Sequence, residues 1–201
     1  MKKTLATVLL PLLWLPRPAL ADDFRAVDRI EPYAIQGKSG IELYRSIGEH
    51  GPQAGSGRAI ATTTFKLTWS RNYVNEAGGC RLASAKPHLI IITRLPKPAN
   101  PLPPLTEKLW ETFIAGIRAH EKVHGDIITD MVRKIEAASL GLSMPDDPKC
   151  RKVHAELTKR LSALSREQRR KSREFDQVEM GQGGNVHQLI LALVNGDRAQ
   201  D

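Results

Sequence analysis

Two histidines stand four residues apart in the run His120-Glu121-Lys122-Val123-His124. On a helix, four residues make one turn plus about 40°, so both imidazoles leave the same face and can reach one ion. Zinc accepts imidazole nitrogen at about 2.0–2.1 Å, and a catalytic zinc takes three protein ligands and leaves one position for water. Glu121 sits one step around the helix, where it can touch that water without ligating the metal. Zinc brings the water's pKa towards neutrality, and Glu121 would accept its proton and pass it to the leaving amine. This is the H-E-x-x-H arrangement of metallopeptidases. So short a pattern also arises by accident, as two surface histidines with an unrelated glutamate. Its weight comes from context: it falls mid-helix, between apolar positions, after a run of strands.

The third ligand must come from elsewhere. Asp130 lies ten residues after His120, but reaching the metal from there requires a helix break seven residues after that histidine, and Ile127 occupies the position. Glu136 is roughly 18 Å along the axis from His124 by the 1.5 Å rise. A short connection over 141–147 predicts an antiparallel second helix. In that register His154 falls near residue 134, and residues 164–168 lie beside the motif. Glu174-Phe175-Asp176-Gln177-Val178-Glu179 comes next, and the glycine-rich loop after it can bend the chain back towards the metal. Asp176 is the first choice of ligand, Glu179 the second and His187 a distant third. The plain alternative for Asp176 is a helix-end or turn residue.

Those side chains need a frame. Tyr33-Ala34-Ile35 reads as a short strand, Gly37 to Gly40 as a turn, and Ile41, Leu43, Tyr44 and Ile47 as one helical face ended by Gly48 and Gly51-Pro52. Residues 53–58 form a Gly/Ser loop. Ala61 to Trp69 reads as a half-buried strand, with Phe65, Leu67 and Trp69 facing inward. Asn75 to Gly79 is a turn, and Cys80–Ser84 and Leu89–Leu95 are two further strands. Five prolines in 96–104 are expected to end the sheet and begin a stiff linker. Thr106 is the expected N-cap of a long helix running to Leu140, with Gly141 as its stop. Asp147-Pro148 would open the second helix, whose apolar stripe is Val153, Leu157, Leu161 and Leu164 and which turns strongly polar past Arg166, where it is expected to fray. A loop at 181–184 precedes an apolar helix over 187–194. The expected fold class is α+β: a small antiparallel sheet in the N-terminal half (30–96), packed against a long active-site helix and an antiparallel partner helix in the helical half (106–195). Strands followed by an active-site helix is the zincin order.

Composition limits what such a fold can do. The chain has 201 residues, of which 41% are hydrophobic and 26% charged, enough for one packed domain. Lys2 and Lys3, the apolar stretch Leu5–Leu15 and the small-residue pattern Ala19-Leu20-Ala21 read as a bacterial signal peptide over 1–21, cleaved before Asp22-Asp23. A single domain over 22–201 remains, periplasmic or secreted. Three positive charges (Lys2, Lys3, Arg17) leave with the signal, so the formal net charge falls from +8 to +5. Many basic residues lie in 149–173 and read as one solvated helix face. No nucleic-acid partner is expected outside the cytoplasm, and no later stretch is apolar enough to span a membrane. The two cysteines, Cys80 and Cys150, are expected to form one disulfide in an oxidising compartment. Closing a loop of about 70 residues is worth on the order of 3–4 kcal/mol. The sequence leaves the oligomeric state open.

The chain also resembles a bacterial family of predicted secreted zinc-dependent proteases. The matching residues include Tyr33 through Ser39, Ile47-Gly48-Glu49-His50-Gly51-Pro52, Thr68-Trp69, Cys80, Leu95-Pro96, Trp110 and the His120–His124 motif. Members tend to carry a later Tyr-Asp-x-x-Thr-x-His-Gly motif. Here the aligned residues are Phe175-Asp176-Gln177-Val178-Glu179-Met180-Gly181-Gln182, which keep the Asp and change the Tyr, Thr, His and Gly. The resemblance implies an intact ligand set if the family's third ligand is the Asp. If it is the His, that ligand is lost and Glu179 would have to substitute.

Motif and resemblance together predict a zinc-dependent hydrolase holding one zinc on His120, His124 and Asp176, with Glu121 as base. A metallopeptidase acting on peptides or proteins is favoured, with the substrate strand added to the sheet near Leu89–Thr93. The alternative is a non-catalytic envelope binding protein with a degenerate or structural site, motivated by the altered 175–182 segment. Zinc-dependent amide hydrolysis of a non-protein polymer uses the same chemistry.

Overall fold

The computed structural model describes residues 24–196, so the signal peptide expected over 1–21 lies outside the described residues. The element order is β1 (Val27–Ile35), α1 (Gly40–His50), β2 (Gln53–Ala54), β3 (Gly57–Arg58), β4 (Thr62–Glu76), β5 (Gly79–Pro98), α2 (Pro104–Ser139), β6 (Ser143–Met144), α3 (Arg151–Met180) and α4 (Asn185–Asn195). The fold is α+β, as expected: one small sheet covered by long helices.

The sheet is built on a long hairpin. Ala77 and Gly78 both take positive φ (49° and 80°), which closes a two-residue turn between Glu76 and Gly79. From there β4 and β5 run antiparallel with Leu67 opposite Leu89 and Thr63 opposite Thr93. The two strands expected at 80–84 and 89–95 are one continuous strand. Pro87, Pro96 and Pro98 all lie within β5, where the sequence predicted breaks and a linker. Each sits where β5 has a neighbour on one side only. The pairing with β1 begins at Ile90 and the pairing with β4 ends at Arg94, so a missing N–H is tolerated as on an edge.

The expectation of an all-antiparallel sheet is corrected in one respect. β1 lies parallel to β5, from Val27 opposite Ile90 to Ile35 opposite Pro98. The main order is β1-β5-β4, so Leu89–Thr93 belongs to the central strand and cannot receive a substrate strand. The edge strands are β1 and β4, and it is β4 that borders the site. On that strand Leu67 and Trp69 are part-buried as expected, whereas Phe65 is 39% exposed.

Ser39 caps α1 through a capping box: its hydroxyl accepts from the Glu42 N–H, and the Glu42 carboxylate accepts from the Ser39 N–H at 3.2 Å. The next residue must be small, because a Cβ on Gly40 would lie 1.8 Å from the Leu193 carbonyl of α4.

Helix α2 is capped at Pro103, three residues before the expected N-cap Thr106. Pro104 stands at N1 behind Pro103, and Thr106 lies inside the helix, its hydroxyl donating to the Lys38 carbonyl at 2.9 Å instead of capping. With 36 residues α2 is roughly 54 Å long. Its buried stripe serves two separate apolar clusters. Trp110, Phe113, Ile114 and Ile117 join Ile35, Leu43, Leu95 and Leu193 at one end. Ile128, Met131, Val132 and Ile135 join Leu89 and Ile91 at the other. The histidine motif occupies the interval between them.

Helix α3 starts later and runs further than the sequence suggests. Its N-terminus is served from upstream by Asp147, whose carboxylate accepts from the buried Val153 N–H at 3.0 Å. Cys150, at φ 57°, precedes the first helical residue. The polar half beyond Arg166 does not fray: it is helical to Met180. Pairs such as Arg170–Glu174 and Lys171–Glu167 run along it, and Lys134 of α2 grips Glu167 at 3.0 Å. The Cys80–Cys150 disulfide forms as expected, beside Leu82, Val153 and Leu157. No helix among the described residues is long and apolar enough to cross a membrane.

Candidate metal centre

Helix α2 carries His120, Glu121 and His124 into the interior because the stripe on which they lie is the one that packs on the sheet. His120 and Glu121 are buried, and His124 is nearly so. The two rings meet edge to face at 4.9 Å between centroids, with their Nε2 atoms 3.2 Å apart. Unbroken helix through Ile127 sends Asp130 away, as expected, to Lys134 and Lys171.

The third donor comes from α3. Asp176 Oδ1 lies 2.9 Å from His124 Nε2 and 3.3 Å from His120 Nε2. Asp176 is thus the predicted partner, reached by a different route. Helix spacing alone places residues 164–168 beside the motif and needs the loop after 179 to bend Asp176 back. Instead the chain after α2 first runs along the sheet, Ser143-Met144 pairing with Arg81 and Cys80, before α3 begins at Arg151. That detour shifts the helix register. Lys134 meets Glu167, Asp130 meets Lys171, and a straight α3 delivers Asp176 to His124. Phe175, the preceding residue, stacks on the His120 ring at 4.8 Å and closes its outer side.

The donor triangle has the dimensions a metal needs. Tetrahedral zinc with bonds of about 2.0–2.1 Å places neighbouring ligand atoms about 3.3–3.4 Å apart. The edges here are 3.2, 3.3 and 2.9 Å. His120, His124 and Asp176 form the one group of this kind among the described residues. Two imidazole nitrogens and one carboxylate oxygen suit zinc and other divalent transition-metal ions.

The other candidates fall outside the triangle. Glu179 Oε2 lies 3.7 Å from His120 Nδ1, the nitrogen turned away from the site, and accepts from Asn185 Nδ2 at 3.2 Å. Glu179 therefore puts a negative charge near the His120 ring from outside the triangle, beyond hydrogen-bond reach, and His120 Nδ1 has no hydrogen-bond partner among the described residues. His187 Nδ1 accepts from the Gly183 N–H at 3.2 Å, and His154 stacks on Tyr73.

Electrostatics follow from this layout. Burial works against a charged His120, but the hydrogen bond with Asp176 and the nearby carboxylates outweigh it and raise its pKa. Burial likewise opposes ionisation of Asp176, yet the two imidazoles hold its carboxyl well below the usual carboxylate range. Glu121 moves the other way. Its burial dominates and raises the pKa, against the lowering effect of a 2.7 Å hydrogen bond from Thr63 Oγ1. Thr63 also approaches the Glu121 carbonyl at 3.2 Å and Thr93 Oγ1 at 3.3 Å. Sequence alone does not single out Thr63, because a threonine in a β-rich run reads as a strand former and nothing in the chain marks its partner.

The site opens onto a cleft of about 680 Å³ between the start of β4, the β2–β3 hairpin and the far half of α3. Thr63 and Thr64 form one wall, and Arg169, Ser172 and Arg173 the other. A buried carboxylate beside a convergent three-donor group, at the bottom of a cleft bordered by a strand edge, can bind a metal and handle a proton next to it.

A family model described as "Bacterial protein of unknown function (DUF922)" matches residues 30–184, and the chain belongs to that family. No curated protein and no solved structure matches it. The family description assigns no activity, so any function must be argued from the site.

Proposed function

We propose that this member of the DUF922 family is an exported zinc-dependent hydrolase, and that peptide bonds are its substrate. The observation that carries the proposal is the donor triangle of His120 Nε2, His124 Nε2 and Asp176 Oδ1, with edges near those of a tetrahedral zinc site. A zinc ion held there would supply a Lewis acid with an open position for water and substrate. The rest of the reading concerns the chain's own groups. Glu121 is the proton acceptor, then the donor to the leaving nitrogen. Its raised pKa suits that exchange, and Thr63 fixes the orientation of its carboxylate. Phe175 packs on both imidazole rings, at 4.8 and 5.5 Å between centroids, and helps hold them in place.

The edge of β4 at Thr62–Thr64 borders the cleft, and an extended peptide added there would pass the site. This replaces the docking position at Leu89–Thr93. The amino-terminal segment and the Cys80–Cys150 disulfide support export to an oxidising compartment.

The test is Glu121→Gln. Its side chain matches in shape but cannot take a proton. The variant should bind zinc as the wild type does, and its hydrolysis of a quenched peptide library should fall by about a hundredfold or more. Hydrolysis at the wild-type rate would remove Glu121 from the mechanism. Absence of hydrolysis in the zinc-loaded wild type, across peptides and cell-wall fragments, would favour a non-catalytic envelope protein.

A further inference from the structure

Resting on that reading, we infer that the cleft selects acidic peptides, with Arg169 and Arg173 receiving the carboxylates of alternate side chains in an extended substrate.

Residues 169, 172, 173 and 176 recur at helical spacing and all line the cleft, so α3 presents the two arginines on the same face as Asp176. By the 1.5 Å rise, Arg173 stands about 4.5 Å and Arg169 about 10 Å from the level of Asp176 along the axis. The two arginines are therefore about 6 Å apart, close to the spacing of about 6.6 Å between side chains on one face of a strand. An acidic-x-acidic pattern within a few residues of the scissile bond fits that interval.

Charge pairing on the helix points the same way. Arg160 pairs with Glu156, Arg170 with Glu174 and Lys171 with Glu167. Arg169 and Arg173 are exposed, and their side chains make no ion pair or hydrogen bond among the described residues. Arg58 adds a third positive charge to the lining, from β3. The acids lining the cleft are Glu121 and Asp176, both committed to the site. A divalent ion would offset those two charges, leaving three guanidinium groups to be balanced by substrate. Guanidinium is the side chain suited to binding carboxylates bidentately.

The experiment measures binding, separately from turnover, on zinc-loaded Glu121→Gln protein. Fluorescent octapeptides carrying Glu-x-Glu, Gln-x-Gln or Lys-x-Lys in one neutral background are titrated by anisotropy at low salt. The Glu-x-Glu peptide should bind about tenfold tighter than Gln-x-Gln, with each partly exposed pair worth about threefold. Adding Arg169→Gln and Arg173→Gln should abolish that preference. Adding Arg166→Gln and Arg170→Gln, at the same spacing but outside the lining, should preserve it. Equal affinity for the Glu and Gln peptides would overturn the inference, as would a preference that survives loss of Arg169 and Arg173. A single-stranded oligonucleotide binding as tightly, with the same dependence on these arginines, would also overturn it by showing attraction to any polyanion. A hydrolase that cleaves neutral peptides equally well would refute the specificity and leave the activity standing. Arginine-dependent peptide binding without any turnover would do the reverse.

Discussion

Thr63→Val removes one hydroxyl, keeps the shape, and strips the buried Glu121 carboxylate of its 2.7 Å donor. A hydrogen bond to a charged group contributes about 1.5–3 kcal/mol. Glu121 already lies above its ordinary value because it is buried, so losing the Thr63 hydroxyl should raise its pKa further. A carboxyl whose folded pKa is raised stabilises the fold below its unfolded pKa, and that stability is lost as pH rises through the folded pKa. In chelator-treated protein, Thr63→Val should therefore cost little near pH 4.5 and about 1.5–3 kcal/mol near pH 8. Denaturant titrations at the two pH values read the difference directly. In zinc-loaded protein, the acid limb of kcat/KM should move to higher pH, because Glu121 acts as the carboxylate. A stability loss equal at both pH values, with an unmoved acid limb, would refute the reasoning and reduce Thr63 to a packing residue.

Glu179→Gln keeps the side chain's size but removes a charge 3.7 Å from His120 Nδ1, and zinc affinity should fall by about fivefold at most in a competitive chelator titration, the scale of a charge interaction without a hydrogen bond. Replacing Cys80 and Cys150 together by serine should destabilise the oxidised protein by about 4 kcal/mol in denaturant, given the 70-residue separation. The donor triangle should persist, since the disulfide sits at the opposite end of α3 from Asp176; zinc content that fell with the disulfide would contradict this.

The chemistry of the motif is legible in the sequence because helical spacing alone puts His120 and His124 on one face. The helix that carries them is legible from its apolar stripe, although its N-cap moves from Thr106 to Pro103 because a proline at N1 does not block a helix. The hidden features depend on long-range geometry. Asp176 can be chosen on chemistry, but its placement depends on the Ser143-Met144 detour along β5, which no local pattern marks. The parallel pairing of β1 is equally invisible, since period-two alternation carries no strand direction. Pro96 and Pro98 read as the end of the sheet because sequence does not reveal that β5 has one open side there. The basic run on α3 reads as a solvated face, and only the tertiary register shows that Arg169 and Arg173 turn towards the cleft while Arg170 does not.

The central claim is that His120, His124 and Asp176 together hold one metal ion, and metal content tests it most directly. Protein purified without chelator, dialysed against equimolar zinc and measured by mass spectrometry, should retain about one zinc per chain. His120→Ala and Asp176→Ala should each retain far less, with unchanged circular dichroism. A wild-type protein that keeps no zinc, or an Asp176→Ala variant that keeps as much as the wild type, would contradict the account.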